Sequence, residues 1–223
     1  MSEGKKVLLI VGSPKGKNST SESLGLYLLD RLRESGMTTE VEYIYPAVRK
    51  ENNLDKLVIA TDCADLIVLS FPLYVDSIPA GTIRALEAIA EHRKSAPVSG
   101  QKFAAICQSG FPEALHNKIA VEICRLFARD ADMEWMGALT LGGGGVVSGK
   151  PLKEAGGMVR NVIKALDLAA ADLATGSSIS EEARSVMSQP LMPKWLYMSM
   201  GNLGWYIQAA QNKVLFKLNA RAE

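Results

Sequence analysis

Apolar positions along the chain follow two alternating rhythms. Five short runs are apolar at nearly every step: Lys6–Gly12 (KVLLIVG), Val41–Tyr45 (VEYIY), Asp65–Phe71 (DLIVLSF), Lys102–Ser109 (KFAAICQS) and Met133–Leu141 (MEWMGALTL). Unbroken rather than alternating hydrophobicity predicts strands covered on both faces, the habit of parallel sheets. Between the runs, apolar residues recur at three- and four-residue steps. Leu24, Tyr27, Leu28 and Leu32 share one helix face, as do Ile83, Leu86 and Ala90. The same spacing joins Leu115, Ile119, Ile123 and Phe127, and then Met158, Val162, Leu166, Ala169 and Leu173. The stretch after the second run is irregular at first and weakly helical later. Strands alternating with helices imply right-handed crossovers and an α/β, doubly wound sheet.

Small polar residues at Ala174–Glu182 predict a linker, dividing the chain into a domain of residues 1–175 and a helical extension of 176–223. The extension contains MPKWLYMSMGNLGWYIQAAQNKVLFKL, with apolar residues again at helical steps. A terminal helix packed on the domain is the plain reading. Asn202, Gln208, Gln211, Asn212 and the scarcity of cations argue against a membrane-surface helix, and a lid or dimer arm fits better.

Composition narrows the field. With 223 residues, 48% of them hydrophobic, the chain can bury a sizeable core. Its formal net charge of +1 gives no support for a nucleic-acid partner or an anionic membrane. Cys63, Cys107 and Cys124 form neither a C-x-x-C pair nor a zinc spacing, so the expectation is a reducing cytoplasm and no metal. The run VLLIV is too short for a signal-peptide core, and no segment is apolar for long enough to span a bilayer.

Candidate chemistry sits in loops, because ligands of open α/β sheets bind beyond the carboxyl ends of strands at the switch point. The first loop lies within VLLIVGSPKGKNSTSESL, Val7 to Leu24. Gly12 and Gly16 permit tight turns, while Ser13, Ser19, Thr20, Ser21 and Ser23 offer hydroxyls. The following helix aims its N–H groups at the same spot, and Lys15 and Lys17 add charge, so the stretch predicts an anion site. Ser19 and Glu22 also have capping-box spacing, which accounts for one hydroxyl and one carboxylate. A nucleotide P-loop does not fit: the glycines are one residue too close, and Asn18 stands where Mg²⁺ needs a hydroxyl. Gly144–Pro151 has P-loop spacing but proline at the hydroxyl position.

The second loop, Ser70–Gly81 (SFPLYVDSIPAG), brackets Leu73, Tyr74 and Val75 with prolines, a stiff apolar wall suited to a flat ring. In the third, Gln108–Asn117 (QSGFPEALHN), Gly110 allows close approach and Phe111 can flank a ring. A fourth, LGGGGVVSGK, is predicted to be flexible enough to close over a substrate. Neither G-x-G-x-x-G nor G-x-S-x-G occurs. His92 and His116 lack metal spacing and read as helix-surface residues, with His116 near enough to the third loop to donate a proton.

Together GSPKGKNSTSESL, PLYVDSIPAG and QSGFPE, each after its strand, resemble the flavodoxin-like NAD(P)H-dependent FMN reductases and quinone reductases. The resemblance covers roughly the first three quarters of the chain; MPKWLYMSMGNLGW resembles, more weakly, a C-terminal extension of some bacterial members. It implies a five-stranded parallel sheet of order 2-1-3-4-5, with FMN as the cofactor and NADH or NADPH as hydride donor. Phosphate contacts are implied for Ser13, Lys15, Asn18, Ser19, Thr20 and Ser21. Ring contacts are implied for Pro72, Leu73, Tyr74, Val75, Asp76 and Ser77, and for Ser109, Gly110 and Phe111. Many members have arginine where Lys15 stands, and lysine lacks the planar fork. No iron–sulfur cysteine motif is present. The implied reaction is ping-pong: hydride enters the flavin, then electrons leave to a quinone, flavin or similar small acceptor, with no catalytic residue specified. A homodimer or higher homo-oligomer is the family habit. The competing readings are a flavodoxin-type electron carrier, expected to be more acidic, and a flavin-free interaction protein.

Overall fold

The computed structural model describes residues 4–49 and 51–215. Five strands, β1 (Lys6–Val11), β2 (Thr38–Tyr43), β3 (Leu66–Pro72), β4 (Lys102–Gln108) and β5 (Glu134–Leu141), form one parallel sheet in the order β2-β1-β3-β4-β5. The sheet order is the expected one. It reverses direction between β1 and β3, and that switch fixes where loops diverge enough to admit a ligand.

Helices cover both faces. α1 (Thr20–Glu34), α6 (Arg160–Thr175) and the short α7 (Glu181–Met187) lie on one side. There Val7, Leu9 and Val11 meet Leu24, Leu28, Leu32, Val162 and Leu166. α3 (Glu51–Asp62), α4 (Ala80–Ser95) and α5 (Lys118–Asp130) lie on the other, where Leu8, Ile10 and Phe71 meet Leu57, Leu86 and Ile89. Every residue from Val7 to Val11 is at most 1% exposed, which is why the run carries no polar alternation. Each such side chain contributes about 1.5–3 kcal/mol by leaving water.

Three expectations need correction. The second apolar run is a strand only to Tyr43; Ile44–Val48 turns into a single helical turn, α2. Pro46 lacks the N–H a ladder needs, so the chain leaves the sheet before it. Leu115 and Ile119 do not face the core but stand 77% and 58% exposed; α5 buries Ala120, Cys124, Phe127 and Ala128 instead. For Leu115 the cause is a 3₁₀ turn at Ala114–Asn117, which breaks the helical phase before α5 begins, whereas Ile119 lies in the first turn of α5 on the border of an open groove.

Residues 174–182 are no free linker either. β5 carries a bulge, with Met136 and Gly137 opposite Ala104 alone, and Gly137 adopts φ +97°. The Met136 carbonyl there accepts the Ile179 N–H at 2.8 Å. Ile179, Ala183 and Met187 then join the core. The chain leaves the domain only after Met192, in α8 (Lys194–Gln211). No described helix is long and apolar enough to cross a membrane.

Candidate ligand site at the carboxyl edge of the sheet

Hydrogen bonds continue past the strands and tie the loops together. Gly12 N–H donates to the Ser70 carbonyl at 2.8 Å, Leu73 N–H to Gln108 at 2.7 Å, and Ser109 N–H to Leu141 at 3.0 Å. The three predicted loops therefore converge at one edge. Gly12 is required where it stands: a Cβ there would lie 2.8 Å from Thr82 Oγ1 and 2.9 Å from Phe71 Cβ.

Within the first loop much of the hydroxyl content serves the backbone. Ser19 caps α1, its Oγ accepting from Glu22 N–H at 3.2 Å and donating to the Gly16 carbonyl at 2.7 Å. Ser23 Oγ donates to the Ser19 carbonyl. Thr20 Oγ1 donates to the Gly144 carbonyl at 3.0 Å. Glu22 is buried; its carboxylate accepts from Asn18 N–H at 2.5 Å and from the Tyr43 hydroxyl. Burial first, and then this carboxylate, push the Tyr43 hydroxyl up to about 12. The carboxylate is thus taken up within the loop, as the spacing predicted, although it grips Asn18 rather than the cap residue.

What remains suits an anion. Among the described residues nothing accepts from the Thr20 or Ser21 N–H at the positive end of α1. Ser21 Oγ is buried without a partner among the described residues, and Lys15 and Lys17 of the same loop are exposed. An orphaned buried hydroxyl is costly, and an acceptor oxygen would relieve it. These features fit the phosphoryl end of FMN; Thr20 and Ser19 would contribute backbone rather than side-chain groups.

The second loop is a tight hairpin. Tyr74 and Ser77 exchange two backbone hydrogen bonds, 2.9 and 3.0 Å, around Val75 (φ +48°) and Asp76 (φ +57°). Positive φ at both central positions suits asparagine and glycine; a β-branched valine there is strained. Val75 is 99% exposed, so no contact within the chain explains its choice. Pro72 is buried, Leu73 and Ser77 are half-buried, and Tyr74 and Asp76 are exposed. In the third loop Ser109 is buried, Gly110 is exposed, and Phe111 stacks on His116 with ring centroids 4.6 Å apart.

The sequence reading missed the fourth loop's part. Gly142, Gly143 and Gly144 are buried rather than free. Gly143 N–H donates to the Phe111 carbonyl at 2.6 Å and Gly144 N–H to Ser109 at 2.8 Å, while Gly149 lies against Asn18. The loop bridges the first and third. It also missed that α8 is rooted on the third loop, by Lys194–Glu113 at 2.6 Å and by the Tyr197 hydroxyl donating to the Gly110 carbonyl. The Lys194 ammonium holds the Glu113 carboxyl below its usual range. A groove of about 750 Å³ lies further along, bordered by Leu115, Ile119, Ala138 and Pro190, away from the first two loops. No cluster of metal-ligating side chains occurs among the described residues.

No family model matches the chain, and no curated protein matches its sequence. Solved structures do. NADH:FMN oxidoreductase (EMOB), apo form, aligns over 85% of this chain and 96% of its own, with 16% identity and a TM-score of 0.57. The NAD(P)H:quinone oxidoreductase of Methanothermobacter marburgensis aligns over 76% and 96%, with 15% identity and a TM-score of 0.57. An FMN-dependent NADH-azoreductase from Bacillus anthracis, solved with FMN, aligns over 76% and 99%, with 15% identity and a TM-score of 0.54. Sheet order, loop convergence and these likenesses agree that the chain has the flavodoxin-like fold.

Proposed function

We propose that this protein is an FMN-dependent oxidoreductase that takes hydride from NADH or NADPH and hands electrons to a quinone, flavin or similar small acceptor in alternating half-reactions. The observation that carries the reading is the first loop, which follows β1 beside the sheet's switch point and holds unpaired α1 N–H groups, the orphaned Ser21 hydroxyl and two exposed lysines. The likeness to flavin reductases adds to it.

Ser13, Lys15, Asn18, Ser19, Thr20 and Ser21 would hold the phosphate. Pro72 to Ser77 would line one side of the ring, and Ser109, Gly110 and Phe111 the other. Bound FMN supplies a ring that accepts hydride and passes electrons on; the chain binds it, orients it and excludes water. His116 packs on Phe111, and in this reading it would stand beside the ring wall. In this reading residues 1–175 carry the flavin, the start of the 176–223 extension packs on them through Ile179, Ala183 and Met187, and α8 is the part used in a homodimer or larger assembly, in the cytoplasm. A net charge of +1 favours a reductase over an acidic electron carrier.

The test is titration of flavin-free protein with FMN, following flavin fluorescence, then anaerobic reduction by NADH or NADPH and steady-state turnover with a quinone. Saturable binding with turnover supports the reading. Binding without turnover points to a carrier, and no binding at tens of micromolar FMN removes the flavin altogether.

A further inference from the structure

Past its root on the third loop, α8 stands clear of the domain. From Met198 to Gln211 every residue except Ala209 is exposed, and no charged side chain occurs between Trp195 and Asn212. A helix without charge and apolar on more than one side is built to be covered. Its apolar positions have a definite period. Leu196, Met200, Leu203, Ile207 and Ala210 step by four and three in turn, a 3.5-residue repeat over some 21 Å of helix. Trp195, Met198 and Trp205 lie on the opposite side.

We propose that α8 pairs in antiparallel fashion with α8 of a second copy of this chain along the Leu196–Ala210 seam, while its tryptophan side lies in the second copy's groove at Leu115 and Ile119. The order of sizes along the seam gives the direction. About a centre at Trp205, antiparallel pairing sets Met200 opposite Ala210 and Leu203 opposite Ile207, and brings Leu196 to the end of the partner helix. Large faces small at each end, as dense packing requires. A parallel pair would set methionine against methionine and alanine against alanine, and would crowd two domains at one end. Antiparallel pairing also opposes the helix dipoles.

Area supports the same occupant. Trp195, Trp205 and Tyr206 are 70%, 72% and 55% exposed. At about 150–250 Å² per aromatic side chain, they leave about 300–500 Å² in water. Half-exposed Met198, Met200, Leu203 and Ile207 bring the total near the ~800 Å² per partner of a stable complex. A flat lipid surface would cover one side of the helix and leave the other wet. A second copy offers two apolar surfaces, its own seam and its groove. The proposal names the contact surface of the assembly in the reading above and does not depend on the flavin, so either can fail alone.

The test begins with the mass of the full chain in solution at tens of micromolar. Twice 24.0 kDa is expected, falling to 24.0 kDa in L203D/I207D and reduced in affinity in I119E; these residues are exposed, so circular dichroism should stay unchanged. On a Cys63→Ser background, Met200→Cys and Ala210→Cys proteins should form a disulfide-linked dimer when mixed and oxidised, and neither should do so alone. Cys107 and Cys124 are buried and take no part. A monomeric wild-type chain, a dimer indifferent to L203D/I207D or to I119E, or A210C cross-linking to itself would each overturn the proposal. So would a monomer that sediments with phosphatidylserine vesicles.

Discussion

Gly149 lies against the carbonyl of Asn18: a Cβ on Gly149 would sit 1.9 Å from that oxygen, and Gly149 itself adopts φ +72°. Residues 131 positions apart thus share one van der Waals boundary, and the fourth loop sets the position of the first. Gly149→Ala is expected to displace Asn18 and weaken FMN binding by about tenfold or more, each tenfold being about 1.4 kcal/mol. Gly145→Ala, with nothing within 4 Å, should leave binding near wild type. Fluorescence titration of both variants checks the difference.

Ser21 gives a prediction with opposite signs in two states. Its buried hydroxyl lacks a partner among the described residues, a loss of about 1–3 kcal/mol for a buried polar group. Ser21→Ala should raise the melting temperature of flavin-free protein and lower its affinity for FMN. Thermal unfolding with and without FMN reads both effects; a variant that binds FMN as tightly as wild type removes Ser21 from the phosphate site.

The Tyr74–Ser77 hairpin carries avoidable strain. Replacing Val75 and Asp76 by Asn and Gly suits positive φ at both positions and should stabilise the fold by about 1–2 kcal/mol. Since Val75 packs on nothing in the chain, any accompanying loss of FMN affinity would assign it to the ring wall. Urea unfolding beside FMN titration makes the comparison.

Tyr43 sets an alkaline limit. Its hydroxyl is raised from 10.0 to about 12 in the folded chain. Above pH 10 the unfolded chain releases this proton while the folded chain keeps it, so stability falls as pH rises. The contribution is whole below pH 10 and is lost as pH climbs through about 12. Tyr43→Phe should flatten that part of the urea-midpoint profile while lowering stability at neutral pH, because the buried Glu22 loses a donor.

The strands were legible because Val7–Val11 and Leu66–Leu69 are covered on both faces and admit no polar residue. The first loop stood out as a candidate anion site for a related reason: helix N-termini and hydroxyl clusters announce themselves locally. What escaped was non-local or silent. Glycines at 142, 143 and 149 look flexible in a sequence, since a missing side chain does not say which backbone fills the space. Leu115 follows helical spacing yet falls in a 3₁₀ turn before α5, and Ile119, though within α5, borders an open groove. Tyr43 meets Glu22 across the β1–β2 crossover, a contact no short window contains.

The first and second loops differ in what anchors them. α1 carries the first loop on Leu24, Leu28 and Leu32, each at most 1% exposed, whereas the hairpin at Val75 is closed by two backbone bonds at the surface. Amide protons of Leu24 and Leu28 should therefore exchange with deuterium only on global unfolding, and those of Tyr74 and Ser77 through small local openings. On warming, the apolar flap would begin to breathe while the anion cradle stayed shut, so a bound mononucleotide would lose hold of its head long before its tail.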